Sequence, residues 1–160
     1  TGIVLASAGG QVARISSTGD GNAPALDLDL ESRLRAARSL AVRKADRRYA
    51  LTLTGGMDGY NWAIAGEPVN VKQGERVEVT MRNMSMMSHP MHLHGHHFQV
   101  TAIDGDPVAG AVRDTVMIPH MAAVTVAFDA NNPGKWPLHC HQLYHMASGM
   151  MTFVNYAGVS

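Results

Sequence analysis

The chain has 160 residues, 46% of them hydrophobic, with a formal net charge of zero and one cysteine. That length suits one domain with a hydrophobic core and an appended segment, and is short for two or three such domains. The basic residues are scattered, apart from a loose cluster within residues 43–48, so the charge pattern indicates neither a nucleic acid nor an anionic membrane as partner. A lone cysteine excludes a disulfide within the chain.

The first part of the chain differs in composition from the rest. It lacks an initiator methionine and a basic region, and its apolar run is too short for a signal peptide or a membrane span. Residues 3–5 favour the last strand of a preceding domain, and residues 6–24, rich in Gly, Ser and Ala, favour an interdomain connector. Residues 27–40 predict a short helix, because apolar residues recur at helical spacing and acidic residues precede arginines. We therefore expect residues 1–47 to combine the end of a preceding domain with a linker.

From residue 48 onwards the pattern changes to short strands. Eight segments rich in Val, Thr and aromatic residues are separated by Gly, Pro, Asn and Asp. They cover residues 48–55, 60–66, 75–83, 97–103, 114–119, 122–130, 135–141 and 150–156. Short strands at this spacing predict a β-sandwich or barrel, and no alternation with helices supports a parallel α/β sheet. Residues 48–160 are thus predicted to form one all-β domain.

Two stretches hold most of the residues with metal-binding chemistry. The first, HPMHLHGHHF at residues 89–98, contains five of the nine histidines. The second, WPLHCHQLYHMASGM at residues 136–150, places Cys140 between two histidines and adds a third histidine and two methionines. A thiolate, two imidazoles and a weak axial thioether are the ligands of a blue-copper site. The second stretch supplies three of these four ligands, and the first stretch can supply the other imidazole.

The alternation of side chains along an extended strand divides these residues between two sites. In the His-Cys-His triplet at residues 139–141, the cysteine points to one face and both histidines to the other. His92 and His94 likewise share a face, which predicts a second cluster made of histidines only. His89 is then free to turn towards the cysteine. The segment after the triplet suits a loop or short helical turn that folds back over the thiolate, and Gly149 would help that return.

The two stretches are similar to the third and fourth copper motifs of the multicopper oxidases, the laccase-like family, HPxHLHGH and HCHxxxHxxxxM. The similarity extends over about residues 48–158, through GEPVNVKQGERVEVTMRN, AVRDTVMIP and NNPGKW. It implies a Greek-key cupredoxin fold, the position of a C-terminal domain, and a periplasmic or secreted location. Carried over position by position, it implies these ligands: His89, Cys140, His145 and Met150 for type 1 copper, His92 for type 2 copper, and His94, His139 and His141 for type 3 copper.

The resemblance also implies an activity. In the family, type 1 copper takes single electrons from a phenol, an aromatic amine or a metal ion, here at the edge of His145. Cys140 and its neighbours pass them to a trinuclear cluster, where dioxygen becomes water. That cluster needs eight histidines, and this chain offers four at the matching positions. We therefore expect an incomplete catalyst, completed by N-terminal cupredoxin domains of the same oxidase or by another chain, with up to four copper ions per complete unit.

Other interpretations of these residues are weaker. A structural zinc site usually has more than one thiolate, and a nonspecific histidine tract lacks cysteine and methionine at matched offsets. Cys140 as a nucleophile lacks a separate orienting partner. The main alternative is a mononuclear blue-copper electron carrier, or a copper-binding protein without oxidase activity. Such a protein would use the type 1 ligands and leave the other four histidines idle.

Several residues near the motifs have a structural and a functional interpretation. Soft thioethers bind cuprous ions, but methionine also fills irregular cores, and we favour core packing. The methionines concerned are Met81, Met84, Met86, Met87 and Met91. Asp114 is expected to orient a ligand loop by hydrogen bonds. His96 belongs to the motif without being a ligand, His97 lies outside the ligand pattern, and His120 is expected in an exposed turn.

Overall fold

The computed structural model describes residues 9–10 and 24–159. The expected strand at residues 3–5 and nearly all of the connector at residues 6–24 lie outside the described residues. The helices and strands of the described part are α1 Asp29–Arg33, β1 Arg47–Gly56, β2 Asn61–Gly66, β3 Val69–Val71, β4 Arg76–Asn83, β5 His89–Leu93, β6 Phe98–Ile103, β7 Asp106–Pro107, β8 Val112–Arg113, β9 Thr115–Ile118, β10 Ala123–Asp129, β11 Lys135–Cys140, α2 Leu143–Ala147 and β12 Met151–Tyr156. Neither helix has the length and apolar character needed to cross a bilayer.

The strands form two mixed sheets. One has the order β2-β1-β4-β10-β6-β7, with β8 also beside β6, and the other has the order β3-β12-β11-β5-β9. The β1–β4 and β3–β12 pairs are parallel, and the other pairs are antiparallel. The all-β prediction is confirmed, and each of the eight predicted segments contains a strand. The sheets form a sandwich and do not close into a barrel.

A single hydrophobic core lies between the two sheets. Buried apolar side chains recur at every second residue in β4, from Val77 to Met81, and in β10, from Val124 to Phe128. The largest fully buried apolar side chains include Phe98, Phe128, Leu53, Met81, Met91 and Ile118. Burying one such side chain contributes about 1.5–3 kcal/mol relative to leaving it exposed. The core therefore fixes which face of each strand points inwards, including the strands that carry the histidines.

The helix predicted within residues 27–40 is present but shorter than its apolar spacing suggests. It ends at Arg33, because the backbone of Leu34 is extended, with ψ 145°. Leu30 is 64% exposed, whereas the side chain of Glu31 is buried and forms a 3.1 Å ion pair with Arg113. This ion pair and the packing of the partly buried Leu28 against the core hold the helix on the sheet.

The chain after α1 is extended and lies against the seven-stranded sheet. The backbone N–H of Leu40 donates to Oε1 of Gln99 at 3.0 Å, and Arg76 donates to the carbonyl oxygen of Ala41 at 3.0 Å. A continued helix could not present its backbone to these side chains, because its own hydrogen bonds would use the same groups. The division of the chain at residues 47 and 48 stays a prediction.

The five-stranded sheet brings the two histidine-containing stretches together. Strand β11 lies between β5 and β12, and its antiparallel register with β5 places His139 opposite His92 and Cys140 opposite Met91. Residues opposite each other in an antiparallel pair point to the same side of the sheet. The register therefore sets His92 and His139 on one face and leaves Cys140, with His89, on the other.

Candidate metal centres

The first candidate centre lies where the end of β11 meets β5 and α2. The Sγ atom of Cys140 lies 3.6 Å from Nδ1 of His89 and 3.8 Å from Nδ1 of His145, and the two nitrogens are 3.2 Å apart. A point equidistant from these three atoms is about 2.1 Å from each, within the range of bonds from imidazole and thiolate to a first-row ion such as zinc. The three side chains thus surround a position suited to one metal ion.

Burial shifts the pKa values of the side chains at this centre, and these shifts favour binding of a metal cation. His89 and Cys140 are 0% exposed and His145 is 2% exposed. Burial and the neighbouring His145 lower the pKa of His89 to about 4, and burial lowers the pKa of His145. Both imidazoles are therefore neutral at neutral pH, with lone pairs available for a metal ion. Burial raises the pKa of the Cys140 thiol, so binding a cation there releases its proton.

A tight return of the chain closes the first centre. Helix α2 presents His145, and the backbone N–H of Met150 then donates to the carbonyl oxygen of His145 at 2.9 Å. The N–H of Cys140 donates to the carbonyl oxygen of Met150 at 3.1 Å, and Met150 is fully buried. Gly149 has φ 123°, and a Cβ atom there would lie 2.5 Å from the carbonyl oxygen of Trp62. As the sequence indicates, glycine permits this return.

Ser85 fixes the imidazole of His89 from behind. Its Oγ atom lies 2.6 Å from Nε2 of His89, on the far side of the ring from the Nδ1 atom that faces Cys140. The same hydroxyl donates to Oδ1 of Asn83 at 2.8 Å, and so it accepts from the Nε2–H of His89. That tautomer leaves Nδ1 unprotonated and ready to bind a metal ion.

The orientation of the Asn83 amide follows from its other partners. Its Nδ2 atom lies 2.7 Å, 3.0 Å and 3.1 Å from the carbonyl oxygens of Met87, Ile118 and Pro119. Carbonyl oxygens only accept hydrogen bonds, so the amide NH₂ group faces them and Oδ1 faces Ser85. Asn83 therefore ties the loop before β5 to the end of β9 and holds Ser85 behind the ligand.

The second candidate centre lies on the opposite face of β11. Ring nitrogens of His92, His94 and His139 lie within 4.8 Å of one another, and Nε2 of His94 is 2.9 Å from Nε2 of His139. The exposed ring of His141 lies beside them, with its centroid 5.6 Å from that of His92 and 6.0 Å from that of His139. The structure thus brings three of the four predicted histidines into one group and places the fourth next to it.

The backbone orients His92 towards this second group. Its Nδ1 atom lies 3.0 Å from the carbonyl oxygen of Asp114 and 3.0 Å from Oγ1 of Thr115. The ring N–H donates to these oxygens, which leaves Nε2 as the ligand atom. The carboxylate of Asp114 lies 3.8 Å from Nδ1 and accepts from Thr115 at 3.0 Å. Asp114 therefore acts on the ligand through its backbone oxygen, and its side chain acts only through Thr115.

Residues 34–158 match the sequence model of the multicopper oxidase family. The chain belongs to this family. It is 42% identical over 112 residues to the multicopper oxidase MmcO of Mycobacterium tuberculosis, a match that covers 66% of this chain and 22% of that protein. It is 35% identical over 114 residues to copper resistance protein A of Pseudomonas syringae pv. tomato, covering 68% of this chain and 18% of that protein. The chain thus spans about a fifth of the length of these curated relatives.

The fold comparison agrees with the sequence comparison. The blue copper oxidase from Nitrosomonas europaea superposes with a TM-score of 0.58 and 26% identity, over 68% of this chain and 43% of that chain. The sandwich of this multicopper oxidase domain is therefore cupredoxin-like, as the motifs imply. Family membership also confirms copper as the cofactor, and the sulfur and imidazole donors of the first centre fit that metal.

The remaining histidines of the multicopper oxidase domain have other surroundings. His96 is buried, and its Nε2 atom lies 2.6 Å from the hydroxyl oxygen of Tyr156, whose ring stacks on it. His97 is exposed, and His120 is exposed with Nδ1 2.5 Å from the carbonyl oxygen of Ser85. These three histidines join neither ligand group among the described residues.

The methionines of the multicopper oxidase domain divide between core and surface. Met81 and Met91 are fully buried, and Met87 packs against the core. Met84 and Met86 are 49% and 79% exposed. Core packing therefore accounts for three of the five methionines, and the other two are surface residues.

An aromatic residue that the sequence does not associate with the metal site, Trp62, lies at the first centre. The ring of Trp62 stacks on that of His145 with centroids 4.0 Å apart and an interplanar angle of 25°, and it meets His89 edge-on at 5.2 Å. Trp62 lies on β2, far from the histidines along the chain. Its signal in the sequence is only that of a buried strand residue, so nothing local associates it with a metal ligand.

Proposed function

We propose that the chain is the C-terminal copper domain of a laccase-like multicopper oxidase. In this role His89, Cys140, His145 and Met150 bind type 1 copper. His92 serves the type 2 centre, and the type 3 centres take three further histidines: His94, His139 and His141. The complete oxidase couples one-electron oxidation of phenols or metal ions to the reduction of dioxygen to water. We place it in the periplasm or outside the cell, as the family resemblance implies.

One observation supports this function above the others. Consecutive residues of β11 belong to two different ligand groups, since Cys140 faces His89 and His145 while His139 faces His92 and His94. A mononuclear electron carrier needs the first group only. Bound copper supplies reversible one-electron chemistry at the first group and oxygen reduction at the second. The peptide bond between His139 and Cys140 gives electrons a covalent route between the two.

The chain provides only part of the second centre. Three imidazoles and the nearby ring of His141 supply four of the eight histidines that the proposed cluster takes. The comparison with longer relatives supports further cupredoxin domains in the same protein, or another chain, as the source of the remaining ligands. The name of copper resistance protein A makes cuprous ion a candidate reducing substrate beside phenols.

Copper stoichiometry together with oxygen consumption tests the proposed function. Purified alone as a monomer, the chain is expected to bind copper at the first centre, to be blue, and to reduce dioxygen negligibly with a phenol or cuprous ion. The complete protein is expected to hold about four copper ions, one at the first centre and three in the trinuclear cluster that the family resemblance implies. It is also expected to consume dioxygen. One copper ion per complete protein without oxygen consumption would instead identify an electron carrier.

The axial position provides a separate prediction. A hydrophobic residue that does not coordinate destabilises the cupric form relative to the cuprous form, so Met150→Leu is expected to raise the reduction potential of the blue centre. Met146→Leu and Met151→Leu are matched controls, because the half-buried Met146 and the 43% exposed Met151 lie on either side of the return. Redox titration of the blue band measures all three. A larger shift in either control would show that another methionine is the axial ligand.

A further inference from the structure

Very little of the His145 side chain is open to a reductant in solution. It is 2% exposed, and the indole of Trp62, itself 2% exposed, covers one face of the ring. The family resemblance assigns electron entry to the edge of this histidine, and most of that residue is covered. A group packed against its ring and open to solvent would therefore give electrons a second way in.

The indole of Trp62 is the group in closest ring contact with the ligand. Its plane lies 25° from that of the imidazole, with centroids 4.0 Å apart, which is close stacking for two aromatic rings. Stacked π systems at this distance overlap, and overlap is what electron tunnelling between them requires. An electron that reaches the indole of Trp62 can therefore tunnel directly to the imidazole of His145.

Tyr60 continues this contact to the surface. Its ring meets that of Trp62 edge-on, with centroids 6.4 Å apart and an interplanar angle of 87°. Tyr60 is 39% exposed, so a donor in solution can contact it. It lies in the turn between β1 and β2 with φ 53°, a conformation that most side chains avoid. Three rings, those of Tyr60, Trp62 and His145, thus connect solvent to the first centre.

The surrounding backbone is shaped to accept the indole. Gly55 is the cross-strand partner of Trp62 and has φ 129°, and a Cβ atom there would lie 2.8 Å from the indole ring. The indole N–H of Trp62 is buried without a hydrogen-bond partner among the described residues. An unpaired buried donor costs about 1–3 kcal/mol, and a phenylalanine ring would fill space without it. The backbone therefore leaves space for a large aromatic ring beside His145.

We infer that Tyr60 and Trp62 form the route by which electrons enter the type 1 centre. This inference rests on the proposed function, because it requires that His145 bind type 1 copper. A one-electron donor contacts Tyr60 and loses one electron, and the cupric ion gains it and becomes cuprous. A phenol donor also releases its hydroxyl proton to water and leaves as a phenoxyl radical. The two rings mediate this transfer without being oxidised, and no bond of the protein is made or broken. Trp62 is a positioning residue, since it acts through His145.

A competing route runs along α2. Tyr144 is covalently next to His145 and is 77% exposed, so a donor could contact it and transfer an electron through the backbone. No described ring stacking joins Tyr144 to His145, whereas Trp62 stacks on it. Variants at Tyr60, Trp62 and Tyr144 therefore distinguish the two routes.

The experiment follows the bleaching of the blue band when the copper-loaded full protein is mixed with hexaammineruthenium(II) without oxygen. Trp62→Leu is expected to slow this single-electron reduction about tenfold, equivalent to about 1.4 kcal/mol on the barrier, and Trp62→Phe is expected to restore most of the rate. Tyr60→Asn removes the outer ring but tolerates the left-handed turn, so it should slow reduction, while Tyr60→Phe should not. Tyr144→Ala is expected to leave the rate unchanged.

The reduction potential of each variant separates an electronic role from a structural one. The inference requires that the slower variants keep the blue band and the potential of the unmodified protein, so that driving force does not explain the rate. Equal rates in Tyr60→Asn and the unmodified protein would overturn it, even if Trp62→Leu failed to fold. So would slowing by Tyr144→Ala alone, or slowing that follows the potential. An unmodified protein without a blue band would overturn the proposed function, and this inference with it.

Discussion

Cys140→Ser is expected to abolish the intense visible absorption band of the cupric protein. That band arises from charge transfer between copper and a thiolate, and the chain has no other cysteine to replace the ligand. Because serine is close to cysteine in size, the free energy of unfolding should fall by only about 1–3 kcal/mol. That is the cost of burying a hydroxyl group without a good hydrogen-bond partner. Visible and far-ultraviolet spectra of the copper-loaded variant measure both effects.

A matched control for this variant is His97→Gln, at an exposed histidine outside both ligand groups. It is expected to keep the full blue band, which separates loss of a ligand from general damage to the domain. A Cys140→Ser protein that stayed blue would refute the assignment of the thiolate. Loss of colour in the control as well would mean that the band depends on the exposed histidines.

Replacing His94 with asparagine has the opposite expected pattern in the complete oxidase. The blue band should remain, because His94 lies in the group on the other face of β11 from Cys140. Dioxygen reduction should fall by more than the roughly 10- to 100-fold that loss of a residue behind a metal ligand typically costs. Oxygen-electrode rates with a phenolic donor, measured beside the visible spectrum, test both parts.

His120→Gln is the control for this second variant. His120 is exposed and contacts a backbone oxygen, so its replacement should change neither the colour nor the rate by more than a small factor. If His94→Asn bleached the protein, the division of ligands between two centres would be wrong. If it reduced oxygen at the normal rate, His94 would not be a ligand of the second centre.

The division of the histidines into two groups could be predicted because it depends on local geometry. Alternation along a strand has a period of two, so the neighbours of Cys140 had to face away from it whatever the rest of the fold. The groups in the structure follow that pattern, with His139 on one face and Cys140 on the other. The assignment of these residues to particular copper types stays a prediction.

The residues behind the ligands could not be predicted, because they depend on which strands become neighbours. Asn83 contacts the end of β9 more than thirty residues later in the chain, and Trp62 reaches His145 only because β2 lies beside α2. Neither contact leaves a periodic signal in the sequence. Helix α1 is shorter than its apolar spacing suggests for a related reason, since Leu40 and Ala41 find partners on the sheet that an extended chain can reach.

The register of β11 has a consequence for how this domain can change in evolution. Deleting a single residue from β11 ahead of His139 would turn every following side chain to the other face. The thiol would then point at the exposed histidines and an imidazole at the buried pocket, so both centres would exchange their chemistry in one event. The two centres are thus inherited as one indivisible unit, whose residues can be substituted but never shifted.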